Sequence, residues 1–132
     1  RRRFAWKEIT VEERQSMLDE DGVWEEYGKP SDAIIKEMKI RMDNLNAAII
    51  DQYEGETLSS KDKIGLSKAY QIGAAYFLKY ALYNNFKELW DNHLEGLLYE
   101  YLRGKTNIPE KIARLKTAYN DTTQHIDNKR LQ

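Results

Sequence analysis

The 132-residue chain contains no cysteine. Disulfides and thiolate metal sites are thereby excluded, and the composition suits a reducing cytoplasm. Proline is scarce, with two residues, and the seven glycines are scattered, so little interrupts helical periodicity. No apolar run approaches the roughly 18 residues that a membrane span requires. No basic-then-apolar leader opens the chain. Neither sign of charge dominates: 21 basic and 22 acidic residues leave a net charge of -1. That balance does not describe a surface built to neutralise nucleic-acid phosphates.

Several catalytic signatures are also missing. There is no G-x-x-x-x-G-K-[ST] phosphate loop, no G-x-S-x-G nucleophile turn, no H-E-x-x-H zinc helix and no G-x-G-x-x-G dinucleotide loop. His93 and His125 are isolated and lack the carboxylate spacing of a metal site. His93 lies on an apolar helix face and reads as a hydrogen-bonded boundary residue. The acidic clusters Glu12-Glu13, Asp19-Glu20-Asp21 and Glu25-Glu26 read as solvated helix ends and loops rather than paired catalytic carboxylates.

What is present is enough apolar material, 41% of residues, for one modest core. The pattern predicts an all-α fold: a small bundle of about five helices after a short extended N-terminal segment, Phe4 to Ile9. Thr10 and Glu13 have the capping-box spacing, and the helix they open ends near Asp21-Gly22. After the break at Gly28-Lys29-Pro30, Ser31 or Asp32 caps a long helix with the stripe Ile34, Met38, Met42 (or Arg41), Leu45 and Ile49, ending before Gly55. Residues 54–60 read as a polar turn, and Lys61 to Lys68 as a short helical turn. Gly73 to Leu82 is apolar almost all round, which marks a buried helix. Asn84-Asn85 breaks it. Phe86 to Leu102 then shows a strong three-four pattern ending at Gly104, and a last helix starts at Pro109. Tyr76, Phe77, Tyr80, Trp90, Tyr99 and Tyr101 read as core at this spacing. From Asp121 onward the chain is polar and is expected to fray.

Arg1-Arg2-Arg3-Phe4 opens the chain. Three basic residues at a terminus usually form a solvated run. Arginine is also the side chain suited to charge on a transferring phosphoryl group, because its planar guanidinium stays charged and donates in a fork. Three further motifs follow. They are Leu45-Asn46-x-x-Ile49, then Tyr70-Gln71-Ile72-Gly73-Ala74-Ala75-Tyr76-Phe77, then Phe86-x-x-Leu89-Trp90 with Leu97-Leu98-Tyr99-Glu100-Tyr101-Leu102.

In this order the motifs resemble the C-terminal part of McrB-type AAA+ nucleoside-triphosphatases, in the dynein-related and MoxR-like branch. The resemblance spans Arg1 to about Tyr119. It implies that residues 1–9 are the end of an AAA+ core with an arginine-finger motif, residues 10–120 a helical lid subdomain, and residues 121–132 a polar tail. It further implies that Arg2 and Arg3, with Arg1 less directly, act on nucleotide bound by the neighbouring subunit of a ring. Gly73, Ala74 and Tyr76 would lie near the subunit's own nucleotide, GTP or ATP with Mg2+. Ala74 and Ala75 stand where the family carries histidine and serine, so any polar contact of those side chains is missing here. The chain begins without methionine, which fits an excised fragment and equally a processed or trimmed chain. The phosphate loop and magnesium ligands are then expected upstream, and the segment alone is not expected to hydrolyse nucleotide. The implied partners are the chain's own AAA+ core, neighbouring subunits and a McrC-like nuclease, with DNA reached only through other domains. The implied biology is restriction of modified foreign DNA in the cytoplasm.

Two other readings compete. One is a complete helical interaction module presenting Trp6, Trp24 and Tyr27 to a protein partner. The other is a small nucleic-acid-binding domain led by the N-terminal arginines, against which the balanced charge argues.

Overall fold

The computed structural model describes residues 17–19, 24, 28–53 and 63–124. Arg1, Arg2, Arg3, Phe4, Trp6, Tyr27, the capping box at Thr10 and Glu13, the turn at 54–60 and His125 all lie outside the described residues. All regular structure among the described residues is helical. Among the described residues four helices build the bundle, where the sequence pattern counts about five. The difference is the helix expected from Thr10, of which only the 3-10 turn Met17–Asp19 is described. No helix among the described residues is long and apolar enough to cross a membrane.

Helix α1, Asp32–Ile49, is the centre of the bundle. Ser31 caps it as expected, its hydroxyl accepting from the Ile34 N–H at 3.3 Å. In its first half only Ile35 and Met38 are buried, but residues 42–49 are buried without a break. The first half is therefore amphipathic, and the second runs through the middle of the fold. The helix stops at a left-handed residue, Asp51 with φ 63. The Gln52 N–H reaches the Ala47 carbonyl at 2.7 Å and the Asp51 N–H the Ala48 carbonyl at 3.0 Å. These are the two bonds that satisfy the last carbonyls of a Schellman end. Asp51 is used twice, because its carboxylate also accepts from the N–H groups of Ile64 and Gly65 at 2.7 and 3.0 Å. The returning chain is thus pinned to the end of α1.

The helical turn expected within 61–68 falls slightly later, as a 3-10 turn at Lys68–Tyr70 capped by Ser67. Helix α2, Ala74–Phe77, continues directly into a 3-10 turn, Leu78–Leu82. The pair occupies the segment read as one buried helix, but its last part is wound more tightly. Asn84, at φ 53, ends it. Asn85 caps the next helix by accepting from the Glu88 N–H at 2.9 Å.

Helix α3 runs through three consecutive stretches, Phe86–Leu89, a wider π turn at Trp90–Leu94, and Glu95–Tyr101. Trp90, Leu94, Leu98 and Leu102 are buried, one at every fourth position. On a regular helix that spacing drifts about 40° per step. A π turn drifts the other way, so it realigns the stripe with the core. Gly104, at φ 90, turns the chain after α3 in a conformation few other residues adopt. Helix α4, Ile108–Asn120, carries Pro109 in its first turn and buries Ile112, Leu115, Ala118 and Tyr119 against α1.

The start of the tail, expected to fray, is held. Asn44 donates to the carbonyls of Asp121 and Thr123, both at 2.9 Å, and the Tyr53 hydroxyl donates to the Asp121 carboxylate at 2.6 Å. Trp90, Phe77 and Tyr80 are core residues as expected. Tyr99 is not: it stands 42% exposed, because its position on α3 falls outside the 90–94–98–102 stripe. Trp24 is fully buried, with its indole N–H on the Leu18 carbonyl at 2.9 Å. It belongs to the core rather than to the partner-binding face that the interaction-module reading assigned to it.

Gly96 lies exposed inside α3, and a Cβ placed there meets nothing within 4 Å. Neither packing nor backbone conformation requires glycine at this position. Gly96→Ala is therefore expected to raise stability by about 1 kcal/mol, the usual helix-interior difference. Urea titration reads this directly, and a destabilised variant would mean that the wide turn preceding Gly96 depends on the glycine.

Candidate functional site

The sequence sets Leu45-Asn46-x-x-Ile49 and Gln71-Ile72-Gly73 far apart, and the fold joins them. Asn46 is 6% exposed in the buried half of α1. Its amide nitrogen donates to the Ile72 carbonyl at 2.8 Å, and its amide oxygen accepts from the Ile72 N–H at 2.6 Å. The side chain pairs with one residue's backbone as a strand neighbour would. Gln71 returns the contact, its amide donating to the Asn46 carbonyl at 3.2 Å. Segment 71–72 has no secondary structure of its own, so this clasp satisfies its buried backbone groups. Leu45 and Ile49, on the same helix, are fully buried.

Gly73 follows the clasp as the N-cap of α2, at φ -84 and ψ 166. These are ordinary values, and a Cβ placed there meets nothing within 4 Å. The chain itself does not need glycine here. The lack of a side chain leaves open space beside a fixed backbone. Ala74 is buried at 3% exposure, so its methyl group belongs to the core, and Ala75 is the exposed position of the pair. Tyr76 is half-buried. Of the three residues expected near nucleotide, Gly73 and Tyr76 therefore reach the surface, while Ala74 supports them from beneath. Arg2 and Arg3 lie outside the described residues.

A pair of tyrosine rings involves the residue that opens the same segment, Tyr70. The rings of Tyr70 and Tyr101 meet edge to face, with centroids 5.0 Å apart. Tyr70 is 40% exposed and Tyr101 half-buried. Burial pushes the Tyr101 phenol up from its ordinary value, and the nearby Tyr76 and Tyr70 hydroxyls push it further. The Lys79 ammonium lies 6.0 Å from the centre of the Tyr76 ring, within reach of a cation–π attraction. Farther along, the Tyr83 hydroxyl and His93 Nε2 are 2.9 Å apart, so His93 is hydrogen-bonded at the boundary, as its position on α3 suggests. Its basicity falls below the ordinary value, first through burial and then through the charge on Lys79. Sequence reasoning placed Tyr101 in the core and gave Lys79 no role. Tyr70 was visible only as the first residue of its motif. The turns that bring these rings together left no local signal.

On α1, Arg41 lies between Glu37, at 2.7 Å, and the ring faces of Phe86 and Tyr119, at 4.4 and 5.4 Å. It also donates to the Tyr119 carbonyl at 3.1 Å. Tyr119 is fully buried and donates to the Phe86 carbonyl at 2.6 Å. Burial holds its phenol protonated far above the ordinary range. These contacts tie α1, α3 and α4 together.

Asn46→Ala strips Ile72 of two partners and is expected to cost about 3 kcal/mol, read from a denaturation midpoint. A cost below about 1 kcal/mol would show that water replaces the clasp. His93 gives a pH signature. Its proton affinity is lower folded than unfolded, so its contribution is complete above pH 6.5 and is lost on acidification. The wild-type melting temperature should therefore fall more steeply between about pH 7 and pH 5 than that of His93→Gln, and parallel slopes would contradict the assignment. Comparison with protein-family models, with curated proteins and with solved structures gives no match to this chain.

Proposed function

We propose that the chain is the arginine-finger end and helical lid of a McrB-type AAA+ nucleoside-triphosphatase that powers restriction of modified foreign DNA in the cytoplasm. The observation that carries the reading is the Asn46 clasp. Two of the motifs that carry the resemblance, with Asn46 and Ile72 26 positions apart, form one hydrogen-bonded unit and leave Gly73 open at its edge. In this reading GTP or ATP, with Mg2+ held by the upstream core, approaches the backbone at Gly73 and the ring of Tyr76. A shift of the nucleotide moves segment 71–73, and the clasp passes that movement to α1 and the bundle. Neighbouring subunits and a McrC-like nuclease receive it. Arg2 and Arg3 act in trans on the next subunit's nucleotide, where a guanidinium stabilises the charge of the transferring phosphoryl group.

The test uses the full-length gene product. Arg3→Ala should lower nucleotide hydrolysis by roughly a thousandfold while nucleotide binding survives. Gly73→Ala should leave the melting temperature close to that of the wild type, since an added Cβ meets nothing within 4 Å, and should weaken nucleotide binding. Wild-type turnover by Arg3→Ala sinks the arginine-finger assignment. A full-length product that neither binds nor hydrolyses nucleotide would favour the free-standing interaction module instead.

A further inference from the structure

We infer that segments 63–70 and 101–105 together form a docking strip for single-stranded DNA, with basic side chains on the phosphates and the exposed Tyr70 ring, backed by Tyr101, stacking on an unpaired base. The choice of DNA over RNA rests on the reading above, and the inference goes beyond that reading by giving this segment a DNA contact of its own.

Two direct contacts bring the segments together. The Tyr70 and Tyr101 rings meet edge to face with centroids 5.0 Å apart, and Lys105 Nζ reaches the Gly65 carbonyl at 3.4 Å. The junction is basic. Lys63 and Lys68 come from one segment, Arg103 and Lys105 from the other, and the stretches 63–87 and 101–109 contain no acidic residue. Lys63, Lys68 and Arg103 are exposed and Lys105 is half-buried. Lys63 and Lys68 make no ion pair among the described residues. Glu100, which precedes Tyr101, is paired with Arg103. The net charge of -1 conceals this strip, because it averages these cations with acids elsewhere in the chain. The strip is also preorganised. Asp51 pins the amides of Ile64 and Gly65, Ser67 caps the turn that carries Lys68 and Tyr70, and Asn46 clamps Ile72. Little backbone entropy is then lost when a ligand is gripped.

Cations from two segments, gathered around an exposed aromatic ring, match a polyanion that also offers flat, unpaired faces. A single strand has both: phosphates for the lysines and the arginine, and bases for the ring. Stacking on tyrosine tolerates any base, because every base has a π-face. Duplex DNA offers phosphates but keeps its bases inside the stack. An acidic peptide offers charge and leaves the ring idle.

The experiment measures binding of a fluorescent oligothymidylate to the full-length protein by anisotropy over a range of salt concentrations, beside oligouridylate and duplex DNA of the same length. Tyr70→Ala removes a ring that is already 40% exposed and should weaken oligothymidylate binding roughly tenfold at an unchanged melting temperature. Lys63→Gln and Lys68→Gln should each lower the slope of log affinity against log salt by about 0.7. Duplex binding should not respond to Tyr70→Ala. Oligothymidylate carrying 5-iodouracil, irradiated on the wild-type protein and mapped by mass spectrometry, should attach at Tyr70 or Tyr101. Crosslinks confined to other peptides overturn the inference, and so does wild-type affinity in Tyr70→Ala. Tighter binding of oligouridylate than of oligothymidylate overturns the assignment to DNA. Nucleotide hydrolysis is read in parallel. A protein that hydrolyses GTP or ATP but fails these tests loses the strip and keeps the ATPase reading, and one that passes them without hydrolysing either nucleotide keeps the strip and loses that reading.

Discussion

Two asparagines in the middle of a helix buried on every side are the constraint around which this fold is organised. A helix surrounded by protein is ordinarily apolar all round. In α1, residues 42–49 are all buried, yet Asn44 and Asn46 are among them at 1% and 6% exposure. A buried amide without partners costs several times what a hydrogen bond ordinarily contributes. Both are satisfied by the backbone of other segments. Two positions apart on a helix, they point in widely different directions. Asn46 takes the chain at 71–72 and Asn44 the chain at 121–123. Irregular segments on two sides are thereby held with the exactness of secondary structure.

The remaining contacts strengthen the same arrangement. Arg41 sits on α1 where its guanidinium covers two aromatic faces and bonds the end of α4. Its charge is balanced one turn earlier by Glu37. A buried arginine without such partners would carry a large desolvation cost. Tyr119 packs against Trp90 and Phe77 and bonds the start of α3. Among the described residues the Trp90 indole N–H finds no hydrogen-bond partner. It lies where α3 widens into its π turn, and its ring packs against that of Tyr119 with centroids 5.2 Å apart.

This organisation bears on function because the open surface at Gly73 is the edge of the clasp rather than a loop tip. Gly73 directly follows the clamped Ile72, and Ala74 anchors the next residue in the core. Tyr70 directly precedes the clamped pair. A ligand at this surface would meet backbone already fixed, and a displacement there would load α1 through Asn46. The rigidity of the site and its coupling to the bundle have the same hydrogen bonds as their cause.

Much of the fold was legible in the residues. Ser31, Asn85, Pro109 and the three-four stripes mark helix starts and buried faces through local chemistry, which the chain cannot easily escape. The break at Asn84 and the turn at Gly104 follow from left-handed backbone that few residues tolerate. His93 was placed at a boundary because its helix face was readable. Tyr99 was not legible, since a π turn realigns the stripe and nothing in Trp90–Leu94 announces the extra width. The motif of Asn46 and that of Ile72 could each be seen alone, but not that one side chain would complete the other's backbone. The sequence by itself thus determined where helices begin, end and turn their apolar faces, because those are properties of neighbours within a few residues. Only the tertiary structure decided which polar groups meet, which tyrosines share a surface and that Ala74 is buried while Ala75 is exposed, because hydrogen bonds between distant segments depend on how the whole chain excludes water.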